Sequence, residues 1–484
     1  MRHNGNGAAL LEQMRSGAAL TTAQQLQLIV RLSIPAILAQ ISSIVMQYID
    51  ASMIGRLSPD DGAAIGLVAS STWLLGGLCM AAATGFTVQI AHRTGAGEHE
   101  KARSLVKLGL CCAVGFSVLL LVAGALISPA LPRWLGGNVS IQKKAAQYFL
   151  VYVLSLPFVQ LNYTAAGMLQ CSGNMKVPGA LEILMCLLDV VFNALLIFPS
   201  RTYAPFDVTL RVPGAGLGVL GAALGTAFSE AVGSLVMLGY LLLRSDTLRL
   251  RRGERFGAQK GDLRRAVKLA LPVAAEQIIT CSAYVAFTRI VAPLGTIAIA
   301  AHSFSVTAES LCYMPGYGIG AAATTIIGQT IGAQRYALSK HLGRLTTLFG
   351  VLVMTGSGCL LYLFAPQVIG LLSTDPSIRA LGAQILRIEA FAEPMYALSI
   401  VATGVFRGAG DTLVPSVLNF ISMWVVRIPL AAALADSFGL PGVWTAMCVE
   451  LCVRGLLFWV LLERRFCRRA DRGSFPLQKQ AEEG

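Results

Sequence analysis

Charged side chains are scarce in this sequence. Asp, Glu, Lys and Arg together make up 13% of the 484 residues, whereas the hydrophobic fraction is 55% and the mean hydropathy is +0.66. Soluble globular proteins carry roughly 25% charged residues. A chain with half that share cannot cover the surface of a soluble domain of this size. The composition therefore predicts an integral membrane protein, in which lipid replaces the missing polar surface.

Several motifs are absent, and each absence narrows the function. No G-x-x-x-x-G-K-[ST] sequence occurs, which excludes ATP hydrolysis by a P-loop. Neither H-E-x-x-H nor G-x-S-x-G is present, which argues against a membrane protease or hydrolase. The 11 cysteines form no C-x-x-C pair, so we expect neither a disulfide framework nor a zinc site. We therefore expect no enzyme and no cofactor, and any active transport by such a membrane protein would have to draw on an ion gradient.

Twelve apolar segments are long enough to cross a membrane, since a spanning helix needs about 20 mostly apolar residues. Basic residues concentrate in the connections after even-numbered segments, above all in 244–268. By the positive-inside rule, both termini and this connection are predicted to be cytoplasmic, in a multi-pass protein of the cytoplasmic (inner) membrane. The net charge of +13 is thus interpreted as topology rather than as affinity for nucleic acid. The predicted spans are 28–54, 62–90, 105–131, 145–170, 177–199, 214–243, 263–292, 298–328, 342–372, 381–406, 413–435 and 440–463.

The chain repeats itself at a constant offset in numbering, the one that carries Pro35 onto Pro272. At this repeat offset four pairs of prolines coincide, including Pro178 with Pro415. After the fifth span the offset becomes shorter and carries Gly218 onto Gly439, so the first half is expected to carry a longer loop around 200–213. Each half has six spans and therefore enters the membrane with the same orientation, which is typical of a parallel repeat. We predict an all-α fold of twelve transmembrane helices in two six-helix lobes, related by a pseudo-twofold axis along the membrane normal.

The repeat also divides the chain. The predicted parts are a cytoplasmic N-terminal tail at 1–25, an N-lobe at 26–243, a basic cytoplasmic linker at 244–262, a C-lobe at 263–463 and a basic cytoplasmic C-terminal tail at 464–484. Residues 1–25 are polar and lack the apolar core of a signal peptide.

Ionisable side chains inside membrane spans are candidates for function, because burying one costs at least about 2.5–3.5 kcal/mol. Gln47 and Asp50 share one face of the first span. In the fifth span, Glu182, Asp189 and Asn193 lie within about 40° of one another around the helix. Oxygen ligands of this kind could bind Na⁺, whereas a carboxylate in an apolar pocket can carry a proton, and the residue types do not choose between them. The residues predicted to couple an ion or proton are Asp50, Asp189, Asn193, Thr226, Gln47 and Glu182, with Asp50, Asp189 and Asn193 as the ligands of any Na⁺.

Acidic and aromatic side chains also recur in the spans of the second half. Glu276 follows Pro272 by four positions, and Glu309 and Tyr313 share the eighth span. Acids at membrane depth would attract organic cations, and aromatic rings would add cation–π contacts. The residues predicted to bind a substrate are Glu276, Tyr284, Phe287, Glu309, Tyr313 and Glu393.

Several segments resemble one family, the multidrug and toxic compound extrusion (MATE) transporters. The segment 49–57, IDASMIGRL, resembles the family's D-x-x-M-[VI]-G motif. The segment 406–412, FRGAGDT, with Pro415 resembles its F-R-G-x-G-D-T-x-x-P loop, and Ile327-Gly328-Gln329 matches a further motif. The resemblance covers roughly residues 25–465.

This resemblance implies a two-lobed secondary antiporter that works by alternating access. It would export small amphipathic, cationic, drug-like compounds in exchange for H⁺ or Na⁺, as a monomer in contact with membrane lipid. The family's first-lobe acidic site corresponds to Asp50. Many members have Asn followed by Asp four positions later in the fifth helix, whereas here Asp189 precedes Asn193.

Two alternatives stay open at the level of sequence. A flippase for lipids or lipid-linked sugars of the same superfamily would share the repeat, although such proteins tend to have basic central cavities. A membrane scaffold that transports nothing would not need carboxylates in register inside its spans.

Overall fold

The computed structural model describes residues 6–55, 57–203, 210–251, 260–473 and 475. Nearly all of this part of the chain is helical, as the apolar composition requires, because a backbone in lipid must satisfy its own hydrogen bonds. The helices are α1 (Asn6–Arg15), α2 (Thr22–Gly55), α3 (Pro59–Gly95), α4 (His99–Ile127), α5 (Leu131–Trp134), α6 (Val139–Cys171), α7 (Lys176–Leu196), α8 (Val219–Leu243), α9 (Lys260–Val291), α10 (Thr296–Gly332), α11 (Tyr336–Leu372), α12 (Pro376–Ala390), α13 (Glu393–Gly408), α14 (Leu413–Ile421), α15 (Ile428–Leu461) and α16 (Arg468–Arg472). A 3₁₀ turn (Ala292–Leu294) follows α9, and π-helical turns (Ser422–Arg427 and Leu462–Cys467) flank α15.

Twelve spans can be traced through these helices. Nine stretches of the described chain are long and apolar enough to cross a membrane. The last of them, Leu413–Arg472, comprises 60 residues and bends at Gly439, whose φ of 61° breaks the helix, so it makes two spans. Helix α10 is a further span, and α12 and α13 together form another, interrupted just before Pro394. The predicted twelve-helix architecture is confirmed.

The predicted repeat is visible in the backbone. Helix α3 begins at Pro59 and ends at Gly95, and the repeat offset carries these positions onto Thr296 and Gly332, the first and last residues of α10. The left-handed glycine that follows α6 (Gly173, φ 102°) has its counterpart after α13 (Gly410, φ 77°) at the same offset.

The shorter offset of the sixth span is also present. Gly218 (φ 56°) precedes α8, and Gly439 (φ 61°), its predicted counterpart, lies within α15. Both glycines adopt the same unusual backbone conformation at the start of a span. The two lobes therefore share one fold, helix by helix.

The longer loop of the first half contains a small β-hairpin, in which β1 (Pro199–Tyr203) pairs antiparallel with β2 (Leu210–Ala215). The hairpin was not predicted, and one boundary of the prediction is wrong, since the sixth span begins at Val219 rather than at 214. Pro213 and the nearby glycines Gly214, Gly216 and Gly218 disfavour a helix, although the segment is apolar. Residues 204–209, at the tip of this loop, lie outside the described part.

The two lobes meet closely where α3 crosses α10, at the ends of these helices that are predicted to be cytoplasmic. We call this end of the bundle the basic face. A Cβ on Gly95 would overlap the carbonyl oxygen of Gln329, and a Cβ on Gly332 would overlap that of His92. The two contacts are equivalent under the repeat offset, so the pseudo-twofold axis passes through this crossing. At the other end of the bundle the Tyr48 hydroxyl donates to the Thr307 carbonyl oxygen at 2.6 Å.

The segment 1–25, predicted to be a tail, contains α1, which packs on the basic face. Leu11 and Met14 are buried there. Arg15 donates to Gln329 Oε1 at 2.9 Å and to the Ser172 carbonyl oxygen at 3.1 Å, and so links the two lobes. The predicted domain boundaries otherwise stay predictions, and Arg56, residues 252–259 of the linker and 476–484 of the C-terminal tail lie outside the described residues.

Candidate ion and substrate sites

In the N-lobe, Asn193 joins two carboxylates from different helices. Its Nδ2 donates to Asp50 Oδ1 at 2.8 Å and to Asp189 Oδ2 at 2.9 Å. From α8, Ser229 Oγ donates to Asp189 Oδ1 at 3.2 Å, and the Thr226 hydroxyl also hydrogen-bonds Asp189. Asp189 is completely buried and Asn193 is 1% exposed. The predicted stripe on the fifth span therefore meets Asp50 of the first, as the sequence suggested.

Small residues on the neighbouring helices let these groups approach. A Cβ on Gly225 of α8 would overlap Asn193 Oδ1, so only glycine leaves room for this amide. Helices α2 and α7 also touch at Gly179, where a Cβ would lie 2.7 Å from the Pro35 carbonyl oxygen. Asn193 Oδ1 is buried and has no hydrogen-bond partner in the described structure. It is therefore an acceptor that a bound cation or a donor could satisfy.

Glu182 lies two turns before Asp189 on α7, toward the basic face. Asn162 Nδ2 donates to Glu182 Oε1 at 3.2 Å. Glu230 of α8 lies within electrostatic range of both Glu182 and Asp189, and its Oε2 is buried without a hydrogen bond in the described structure. Gln47 is exposed and is not brought to the cluster, although it was predicted to share the face of Asp50.

No described Lys, Arg or His forms an ion pair with any of the four N-lobe carboxyl groups, Asp50, Glu182, Asp189 and Glu230. Neighbouring anions without a counter-charge are unfavourable at membrane depth, above all the buried Asp189, and their repulsion is relieved by protonation or by a bound cation. In the described part of the chain no three His, Cys, Asp or Glu side chains converge as a metal site. Two carboxylates, an amide oxygen and hydroxyls are hard oxygen donors, which suits H⁺ or Na⁺.

In the C-lobe, by contrast, one carboxylate is fully neutralised. Arg427 Nη2 lies 2.6 Å from Glu450 Oε2, Arg454 Nε lies 3.1 Å from Glu450 Oε1, and Ser422 also donates to this carboxylate. Glu450 is completely buried. Glu450 was not among the residues predicted from the sequence. Its spacing of four positions before Arg454 on one helix was the available signal.

Three more C-lobe acids, Glu309, Glu389 and Glu393, make no ion pair within the described residues. Both carboxylate oxygens of Glu389 and of Glu393 are buried without a hydrogen-bond partner there. Tyr313 lies near them, with its ring centroid 5.6 Å from that of Tyr396. Acidic and aromatic groups are thus gathered at membrane depth, and their binding of a substrate stays a prediction.

The remaining predicted substrate residues are dispersed. Glu276 forms its own cluster, in which it accepts from Asn419 at 2.7 Å, from Ser416 at 2.8 Å and from Arg407 at 3.2 Å. Phe287 is buried in the C-lobe core, with the Arg427 guanidinium 6.0 Å from its ring centroid. Tyr284 is partly exposed and meets Trp73 of the N-lobe edge-on, with ring centroids 5.5 Å apart.

Comparisons with known proteins agree with this architecture. A family model described as MatE matches the chain twice, at residues 35–195 and 272–433, and the starts of the two matches are related by the repeat offset. A probable multidrug resistance protein NorM of Thermotoga maritima is 25% identical, covering 89% of this chain and 90% of its own length. Its namesake from Chromobacterium violaceum is 26% identical, covering 96% and 98% respectively.

Solved structures show the same fold. A MOP superfamily transporter from Pyrococcus furiosus superposes with a TM-score of 0.85 at 20% identity, covering 95% of this chain and 98% of that one. A Vibrio cholerae MATE transporter gives a TM-score of 0.82 at 18% identity, covering 97% and 98%. The two family matches span more than half of the sequence. The chain belongs to the MATE family and is a membrane transporter, not an enzyme.

Proposed function

We propose that this protein is a secondary active antiporter that exports small amphipathic, cationic organic compounds in exchange for H⁺ or Na⁺. One observation carries the proposal, namely the Asp50–Asn193–Asp189 cluster at membrane depth, in which Asp189 and Asn193 are buried and neither carboxylate has a basic partner among the described residues. Such a cluster binds a cation or a proton strongly, since otherwise its carboxylates repel each other in a low dielectric. Thr226 and Ser229 supply further oxygens, and Glu182 and Glu230 extend the acidic path toward the basic face.

The substrate side of the proposal rests on the C-lobe. The acids Glu309, Glu389 and Glu393 and the aromatic rings of Tyr313 and Tyr396 can receive an organic cation. The proposed substrate-binding residues also include Glu276, Tyr284 and Phe287, which lie farther from these acids and tyrosines. Two curated relatives carry the name of multidrug resistance proteins, and export of drug-like molecules is consistent with that name. The acidic side chains at membrane depth favour this function over a flippase for anionic lipids.

Coupling follows if the ion and the substrate stabilise different arrangements of the two lobes. Asp50 lies on α2, which also contacts the C-lobe through Tyr48 and Thr307. Occupation of the N-lobe cluster can therefore alter the position of α2 at the seam between the lobes. We further propose that the protein acts as a monomer in the cytoplasmic membrane, with the basic face and both termini in the cytoplasm.

Transport of a fluorescent cationic dye into or out of proteoliposomes tests the proposal. An imposed pH gradient and an imposed Na⁺ gradient would be applied separately, with Asp50→Asn measured beside the unchanged protein. One gradient should drive transport, and Asp50→Asn should abolish the response. If neither gradient moves any dye while lipid analogues are translocated, the flippase alternative is correct instead.

A further inference from the structure

A groove of about 250 Å³ lies on the opposite side of the molecule from the α2–α10 seam, between the N-lobe and the first half of α9. Its walls are almost entirely apolar and include Leu78, Phe86, Cys112 and Phe116 on one side and Leu263 and Leu271 on the other. Its two polar wall residues, Gln160 and Thr164, hydrogen-bond each other at 3.0 Å. The groove therefore offers an apolar space at the seam between the lobes.

The repeat shows that this space is not a necessary feature of the fold. Under the repeat offset, Ala82 and Cys112 correspond to Ile319 and Phe349, which belong to or pack against the continuous core of the opposite seam.

The α9 side of the groove shows the same difference. Ala266 corresponds to Ile29 and Ala274 to Ile37, and both isoleucines belong to or pack against that core. At these four positions the opposite seam carries the larger side chain and the groove the smaller one, although Phe86 and Phe116 of the groove correspond to the smaller Ala323 and Val353. Interiors are close-packed, so an open seam points to an occupant supplied from outside the chain.

The mouth of the groove indicates the nature of that occupant. Leu263, Val267 and Leu271 of α9 are 45%, 54% and 66% exposed and form its lip. Arg264 and Lys268 are exposed beside them, one turn apart, where α9 leaves the basic face. An apolar slot below a pair of cations matches an anionic phospholipid, whose acyl chain is apolar and whose phosphate is negative.

We propose that this groove binds an anionic phospholipid from the leaflet on the basic face, with an acyl chain between the lobes and the phosphate on Arg264 and Lys268. The site adjoins a close contact between α9 and the N-lobe, where a Cβ on Gly85 would overlap the Ala266 carbonyl oxygen. Gln89 Nε2 donates to the Asp262 carbonyl oxygen at 3.2 Å in the same contact. A lipid acyl chain that packs against both lobes here stabilises the arrangement in which the lobes meet at the basic face and close it. The proposal goes beyond the transport function and does not depend on it.

Native mass spectrometry of the detergent-purified full-length protein tests the site. Phosphatidylglycerol or phosphatidylcholine would be added separately and the retained lipid adducts counted. The unchanged protein should retain phosphatidylglycerol preferentially. The double variant Arg264→Gln with Lys268→Gln should lower that preference about thirtyfold, since each basic side chain near an anionic lipid surface contributes about 1 kcal/mol to binding. The matched control is Arg464→Gln with Arg468→Gln, which removes another exposed pair of cations one turn apart near the basic face. An equal loss in both double variants would overturn the proposal, because it would show a general effect of charge.

A second pair of variants tests the apolar part. Cys112→Phe and Ala274→Ile each copy the residue that fills the opposite seam, and either should reduce retention of both lipids while the protein stays folded. Unchanged lipid retention in both variants would overturn the proposal. Loss of dye binding with unchanged lipid retention would overturn it as well, since the groove would then belong to a transport substrate.

Discussion

Asn193 donates one hydrogen bond to Asp50 and another to Asp189, at 2.8 and 2.9 Å, and so connects the first and fifth spans of the N-lobe. The repeat places Phe287 at the C-lobe position of Asp50 and Val426 at that of Asp189. The cluster is therefore confined to one lobe of an otherwise symmetrical scaffold. This asymmetry means that the proposed ion coupling can be tested with variants of the N-lobe alone.

Neutralising Asp50 should uncouple the transporter. Asp50→Asn removes one of the two carboxylates and lowers the affinity of the cluster for H⁺ or Na⁺, because the remaining charge attracts the cation less strongly. Gradient-driven dye transport in proteoliposomes should fall to the level of empty vesicles. Asp60→Asn, which removes an exposed carboxylate in the first turn of α3, is the control and should transport normally. Normal transport by Asp50→Asn would refute the proposed role.

A methyl group at Gly225 should damage the same site from the neighbouring helix. In Gly225→Ala the Cβ overlaps Asn193 Oδ1, so the amide must move away from Asp50 and Asp189. We expect gradient-driven dye transport to fall as far as it does in Asn193→Ala, a variant that lacks the amide altogether. Gly239→Ala in the same helix meets nothing within 4 Å and should have no effect. Equal activity of the two glycine variants would show that the position of the amide is unimportant.

Glu450 should matter for stability. Glu450→Gln leaves the buried Arg427 and Arg454 without their common anion, which costs about 3–5 kcal/mol for a buried ion pair. Thermal unfolding in detergent should show a clearly lower melting temperature.

The comparison variant is Glu463→Gln, which breaks a largely exposed ion pair with Arg344 and should cost about 0–1 kcal/mol. Similar melting temperatures for Glu450→Gln and Glu463→Gln would contradict this account of the C-lobe.

Closure of the basic face should depend on the glycines at the α3–α10 crossing. Gly332→Val places a side chain against the His92 carbonyl oxygen and should separate the lobes at this face. Spin labels at positions 244 and 464, in a cysteine-depleted background, should report a longer distance, and transport should stop. A Cβ on Gly356 of α11 meets nothing within 4 Å, so Gly356→Val should leave the distance unchanged. An unchanged distance between the labels in Gly332→Val would show that the α3–α10 crossing does not hold the basic face closed.

The sequence predicted the scaffold in detail because its information is periodic. Span length, the positive-inside pattern and the repeat offset each follow from the order of residues along one helix or one half. The shorter offset of the sixth span pairs Gly218 with Gly439, and both residues have a positive φ. The predicted start of the sixth span at 214 was wrong, because Gly214, Gly216 and Gly218 oppose a helix there and the span begins at Val219.

The sites were only partly predictable. Asp50, Asp189 and Asn193 were found because a polar group in an apolar span is conspicuous. Helix geometry places Gln47 on the same face as Asp50, yet Gln47 is exposed. Helical spacing predicts which residues share a face, but it does not predict which of them a neighbouring helix covers.

The sequence by itself determined the number of spans, the duplication and the presence of carboxyl groups at membrane depth. Only the tertiary structure decided which carboxylates are neutralised, as in Glu450 between two arginines, and which are left without a counter-charge among the described residues, as in Asp50 and Asp189. It also decided that one seam between the lobes is filled and the other open. The reason is physical, since the electrostatic energy of a buried charge depends on partners from other helices, and their distances are set by helix packing rather than by position in the chain.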